Sequence, residues 1–157
     1  MIKRELYMNR IRPFIGGELI KVMTGIRRSG KSVMLELIKE ELAEAGVAPS
    51  QMISINFEDM RYSHLQTATA LHDEIIKRAE GIEGKAYLFF DEIQEVEGWE
   101  KCVNSLRVAL DSDIYITGSN AKLLSGELAT YIGGRYVEFV IYPFSFAEFL
   151  ELYHTIA

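Results

Sequence analysis

Cysteine, proline and histidine are scarce in this chain, positive charge is outnumbered, and no apolar run exceeds the length of a strand. Each shortage removes a class of protein. A single cysteine, Cys102, cannot close an internal disulfide, and no Cys/His spacing resembles a zinc site, which fits a reducing compartment. His64, His72 and His154 are scattered and read as surface or packing residues rather than ligands. The prolines do not gather into a linker, and neither an internal repeat nor a low-complexity tract is present. The opening MIKRELYMNR carries charge with no apolar h-region behind it. Without that region or a membrane-length run, the expectation is a soluble, cytoplasmic chain with no membrane partner.

Charge narrows the partners. Seventeen basic against 23 acidic side chains give a formal net charge of -6, the wrong sign for a broad nucleic-acid surface. The modest N-terminal cluster of Lys3, Arg4, Arg10 and Arg12 reads as solvated surface. A length of 157 residues suits one domain, spanning 1–157, with room for a substantial core.

What is present is alternation. Strand-like runs at residues 19–24, 52–57, 86–90, 114–117 and 136–141 are separated by helical patterns at 32–45, 69–80, 99–110 and 121–131. The run at 86–90, AYLFF, is continuously apolar, as in a strand covered on both faces. Such alternation predicts an α/β fold with a parallel sheet between helical layers, whose ligands bind at the carboxyl ends of the strands. A last helical pattern at 145–157 forms an apolar ridge with no later element to cover it. The chain is therefore expected to be the N-terminal part of a longer protein, although a partner subunit or the domain's own flank could also cover the ridge.

The first predicted strand runs into GIRRSGKS at residues 25–32, a full match to G-x-x-x-x-G-K-[ST] between a strand and a helix. Gly25 and Gly30 permit a tight turn and close backbone approach, and the helix N-terminus offers N–H groups to a phosphate. Lys31 is expected on the β- and γ-phosphates and the Ser32 hydroxyl on Mg2+. Ser29 and Val33 fall within the same nucleotide-binding stretch. Two arginines, Arg27 and Arg28, occupy variable positions of the loop. Arg28 is expected near the nucleotide and Arg27 outward, the other use being ion pairing to Glu58 or Asp59.

The buried strand at 87–90 ends in Asp91 and Glu92, a Walker B pattern: Asp91 for the metal, Glu92 to orient or deprotonate the attacking water. The fourth strand ends in Thr117, Gly118, Ser119 and Asn120, any polar member of which could sense the γ-phosphate, while Ser119 or Asn120 could equally cap the next helix. Arg135, after the glycine pair 133–134, is the candidate arginine for transition-state charge, against the plain alternative of a surface arginine after a turn.

With these residues in hand, the chain resembles the AAA+-like ATP-binding proteins of bacteria and archaea. Their phosphate loop reads G-x-R-R-x-G-K-[ST], and they often carry a C-terminal domain of unknown function. The resemblance rests on residues 25–32, FFDEIQ at 89–94 with Trp99, TGSNA at 117–121, and Gly134–Arg135 before YPFSFAE at 142–148. It implies a P-loop NTPase three-layer sandwich with sheet order 5-1-4-3-2, ATP and Mg2+ as cofactors, and Glu92 as catalytic glutamate. It also implies Arg135 at a finger position, open to action in cis or, in a homo-oligomer, in trans, with a lid and further domains beyond this chain.

Hydrolysis of ATP driving a conformational change is the leading function. The alternative is an ATP-gated interaction switch with little turnover. A small-molecule kinase would need an arginine-rich lid, and no arginine cluster follows the third strand; a GTPase would need an Asn-Lys-x-Asp segment, which does not occur. The protein or nucleic-acid target of such an engine is left open by the sequence.

Overall fold

Five runs rich in Ile, Val, Phe and Tyr become strands because β-branched and aromatic side chains pack well on a pleated surface. They are β1 (Ile20–Thr24), β2 (Met52–Asn56), β3 (Ala86–Asp91), β4 (Ser112–Gly118) and β5 (Tyr136–Val140). The computed structural model describes residues 4–26, 29–119, 123 and 133–143. All strand pairs are parallel and the sheet order is β2-β3-β4-β1-β5, the expected 5-1-4-3-2 read from the other edge. Every residue of β1 is buried and β3 and β4 are nearly so, whereas the edge strands β2 and β5 are only partly covered.

The helices form two layers. Helix α2 (Lys31–Glu44) turns Met34, Leu37, Ile38 and Leu42 to one face of the sheet, where they join Met23, Phe89 and Tyr115. Helices α3 (Ala68–Ala79) and α4 (Trp99–Ala109) cover the other face, with Leu71, Ile75, Val103 and Leu106 packed on Val22, Leu88, Phe90 and Ile116. Successive strand residues point to opposite faces, so each central strand feeds both cores. Trp99 is buried in the second core. The helical patterns predicted at 121–131 and 145–157 lie outside the described residues, apart from Leu123.

One helix was not expected. Helix α1 (Glu5–Ile11) lies over the α2 face and buries Tyr7, Met8 and Ile11 there. The N-terminal basic cluster is consequently not all solvated. Arg4 is 2% exposed, and Arg12 is half-buried against Glu41, with Nη2 2.6 Å from Oε1; only Arg10 of the described three is simply exposed. Among the described residues no helix is long and apolar enough to cross a membrane.

Candidate nucleotide site

The loop between β1 and α2 is closed by backbone geometry. Gly25 has φ +153°, and an ideal Cβ there would stand 2.3 Å from the Ile141 carbonyl oxygen, so no larger residue fits beside the chain leaving β5. The Ser29 N–H donates to Ile26 C=O at 3.2 Å, and Gly30, with φ +97°, opens α2. The helical ladder begins with Met34 N–H on Gly30 C=O at 3.0 Å. The amides of Lys31, Ser32 and Val33 therefore precede the ladder and are the donors that a helix N-terminus presents to an anion. Ser29 is 1% exposed and its Oγ has no hydrogen-bond partner among the described residues, an orphaned polar atom inside the loop.

Side chains from three elements converge on the loop. Lys31 Nζ donates to Gly25 C=O at 2.8 Å and lies 3.4 Å from Glu92 Oε1. Ser32 Oγ donates to Asp91 Oδ2 at 2.5 Å, and Thr117 Oγ1 donates to Asp91 Oδ1 at 2.5 Å. Glu92 has φ +56° and ψ +52°, and it is the one non-glycine residue with positive φ among the described residues. Such backbone costs free energy and persists where surrounding contacts hold it. Here the Glu92 N–H donates to Thr117 Oγ1 at 2.9 Å, and Gln94 Nε2 donates to Glu92 Oε2 at 2.6 Å.

The donor chemistry suits a magnesium–nucleotide complex. A cleft of about 270 Å³ opens beside α2 and the ends of β2 and β3, lined in part by Ser32, Glu36, Lys39, Asn56 and Asp91. A hydroxyl and a carboxylate are the hard oxygen donors Mg2+ takes, and Mg2+ keeps several waters and phosphate oxygens, so no all-protein cage is required. Among the described residues no cluster of three or more His, Cys, Asp or Glu forms such a cage.

Other expected residues stand elsewhere or are engaged otherwise. Arg135 is exposed at the amino end of β5, where its C=O accepts from Ile20 N–H at 2.9 Å. The loop leaves the carboxyl end of β1, so roughly 16 Å of strand separates the two. Thr117 is fully buried and spends its hydroxyl on Asp91 and Glu92. Ser119 is half-buried and its C=O accepts from Leu123 N–H at 2.9 Å. Asp59 is paired with Arg61, Nη2 to Oδ2 at 2.6 Å, which holds its carboxyl below the usual range. Arg27, Arg28 and Asn120 lie outside the described residues.

Two residues at the site escaped the sequence reading. Gln94 follows Glu92 by two positions, and a polar residue so close behind an apolar strand that ends in two carboxylates was a usable signal. Arg4 had none, because its contacts lie 25 and 138 positions away.

The family model described as AAA domain matches residues 17–150. An uncharacterised protein of Haemophilus influenzae is 48% identical over 151 residues, covering 96% of this chain and 38% of the relative. An uncharacterised protein of Methanocaldococcus jannaschii is 42% identical over 135 residues, 84% of this chain and 28% of the relative. The chain thus spans well under half the length of these relatives. Among solved structures, a DNA polymerase III gamma subunit-related protein of Thermotoga maritima superposes with TM-score 0.63 at 12% identity, over 96% of this chain and 49% of that one. The Aeropyrum pernix ORC2 protein in its ADP form gives 0.62 at 11%, over 96% and 49%, and a DNA replication initiation factor gives 0.61 at 16%, over 97% and 49%. At these identities the likeness is one of fold.

Proposed function

This chain belongs to the AAA domain family, an AAA+-like P-loop ATPase core, and from that premise we propose that it binds Mg-ATP at residues 25–32 and hydrolyses it to drive a conformational change. One observation carries the reading. Lys31 and Ser32 of α2 meet Asp91 and Glu92 at the end of β3 within 2.5 to 3.4 Å, at the strand ends where a parallel sheet binds ligands.

Each residue has a task its position supports. Lys31 exchanges its contact with Gly25 C=O for the phosphates, and the amides that open α2 take the phosphate oxygens. Ser32 and Asp91 hold the metal, which when bound polarises the phosphate oxygens. Glu92 orients a water and accepts its proton, with the carboxylate steadied by Gln94. Arg135 is one strand length from its own loop, so its reading is in trans, on the nucleotide of a neighbouring copy in a homo-oligomer. Such a role suits the cytoplasm, where ATP is supplied. What the ATP drives belongs to the whole protein, whose relatives are more than twice as long.

The full-length protein tests this directly. Lys31→Ala is expected to lose Mg-ATP binding by calorimetry, and Glu92→Gln to bind ATP but turn over about 10² to 10⁴ times more slowly. Unchanged binding in the first, or unchanged turnover in the second, removes the assignment.

The second reading, an ATP-gated interaction switch, draws on the engagement of Glu92 by both Lys31 and Gln94. It separates by measuring ATPase rate against protein concentration, with and without Arg135→Ala. A rate that climbs with concentration and collapses in the variant supports hydrolysis in an assembly; a flat, negligible rate supports the switch.

A further inference from the structure

Arg4, just ahead of α1, is 2% exposed. Its Nη1 donates to Ser29 C=O at 2.7 Å and its Nη2 to Tyr142 C=O at 2.7 Å, with Cζ 4.5 Å from the centroid of the Tyr7 ring. Ser29 precedes Gly30 in the phosphate loop, and Tyr142 lies two residues beyond β5. A single planar fork thus joins the loop to the chain leaving the sheet, a geometry that suits guanidinium and not ammonium.

The Ser29–Gly30 peptide is trans, so its C=O and N–H point to opposite sides. A carbonyl held on Arg4 turns the Gly30 N–H away from Arg4. Phosphate loops bind anions through successive backbone N–H groups, so the rotation of this peptide decides whether an N–H or a carbonyl oxygen faces the ligand. Gly30 imposes little rotation of its own, since a glycine at φ +97° has several backbone wells open to it. A Cβ on Gly30 would also stand 2.9 Å from Arg4 Nη1, which ties the two positions together.

We propose that Arg4 is a positioning residue for polyphosphate binding: it fixes the Ser29–Gly30 peptide so that the Gly30 N–H faces the phosphates. The inference rests on the nucleotide reading above. Its rival is that Arg4 merely docks α1. Tyr7 shares that docking through a different atom, its hydroxyl accepting from Tyr142 N–H at 3.1 Å.

The test compares Arg4→Lys with Tyr7→Phe in the full-length protein, reading Mg-ATP affinity, KM, kcat and the ligand-free Tm. Loss of a charged-donor hydrogen bond is expected to raise Kd and KM in Arg4→Lys about tenfold to hundredfold, with kcat little changed. Tyr7→Phe is expected to lower Tm and leave Kd alone. Equal affinity in Arg4→Lys and wild type overturns the proposal while leaving the nucleotide reading intact, as does a loss of affinity in both variants proportional to the fall in Tm. A wild-type protein that binds no Mg-ATP overturns both. If Arg4→Lys does not fold, the wild-type Gly30 amide resonance decides: a large shift on saturation with Mg-ATP supports the proposal, and a stationary resonance sinks it.

Discussion

Gln94 Nε2 stands 2.6 Å from Glu92 Oε2, so the carboxylate that would act on water is held by a side chain two residues along its own turn. A charge-assisted bond of this kind sets the direction of the carboxylate without touching substrate. Gln94→Leu keeps the volume and removes the donor. We expect turnover to fall about ten- to hundredfold with Mg-ATP affinity unchanged, the range typical of lost orienting contacts. Wild-type kcat in Gln94→Leu would show that Glu92 is oriented by other means.

Thr117 ties the two carboxylate residues to β4, donating to Asp91 and accepting the Glu92 N–H. Thr117→Val has nearly the same shape but strands a buried acceptor and a strained N–H. The expected loss is about 1–3 kcal/mol per unsatisfied group by urea denaturation. The Mg2+ concentration for half-maximal turnover should rise as well. Thr117→Ser restores the hydroxyl and should recover both measurements, which a pure packing role would not predict.

Lys21 and Asp113 form a fully buried ion pair on adjacent strands near the amino end of the sheet, away from the loop. Lys21 Nζ also donates to Gly17 C=O at 2.8 Å. Asp113 Oδ2 accepts from Gly16 N–H at 2.9 Å and Tyr115 O–H at 2.6 Å. Burial pushes the Lys21 ammonium below its ordinary pKa and the Tyr115 hydroxyl above its own. Lys21→Met leaves an uncompensated buried carboxylate and should cost about 3–5 kcal/mol. Adding Asp113→Asn removes the stranded charge, so the double variant should regain much of that stability and bind Mg-ATP as wild type does. A double variant no more stable than Lys21→Met would contradict this account.

Cys102 is 3% exposed in the core beneath α4, and burial pushes its thiol up to about 12 from the ordinary 9.0. Because the folded value is the higher one, the thiol's contribution to stability is complete below pH 9. It declines as pH rises towards 12, where the unfolded chain has ionised and the folded chain has not. Wild type should therefore lose stability over that interval more steeply than Cys102→Ala. At pH 8 a thiol reagent should label Cys102 only as fast as the protein opens. Labelling at the rate of a free thiol would rule out the buried placement.

The loop and the carboxylate pair were legible because their chemistry is local. Four fixed positions between a strand and a helix mark a candidate phosphate site in one contiguous stretch, and an apolar strand running into Asp91 and Glu92 announces where its end must lie. Strand–helix alternation likewise fixed a parallel sheet, since crossovers leave few other arrangements. Helix α1 was missed because its seven residues show less than two turns of periodicity.

By itself, then, the sequence determined the fold class and marked the glycine-rich loop and the Asp91–Glu92 pair as site candidates, all of which depend on near neighbours in the chain. Only the tertiary structure decided that Arg4 grips the loop from the far side, that Thr117 locks Asp91, and that Arg135 stands at the opposite end of the sheet from Lys31. The reason is physical. These relations are made across strands and layers by residues far apart in the chain, and strand order and facing direction exist only once the sheet has assembled around its two cores.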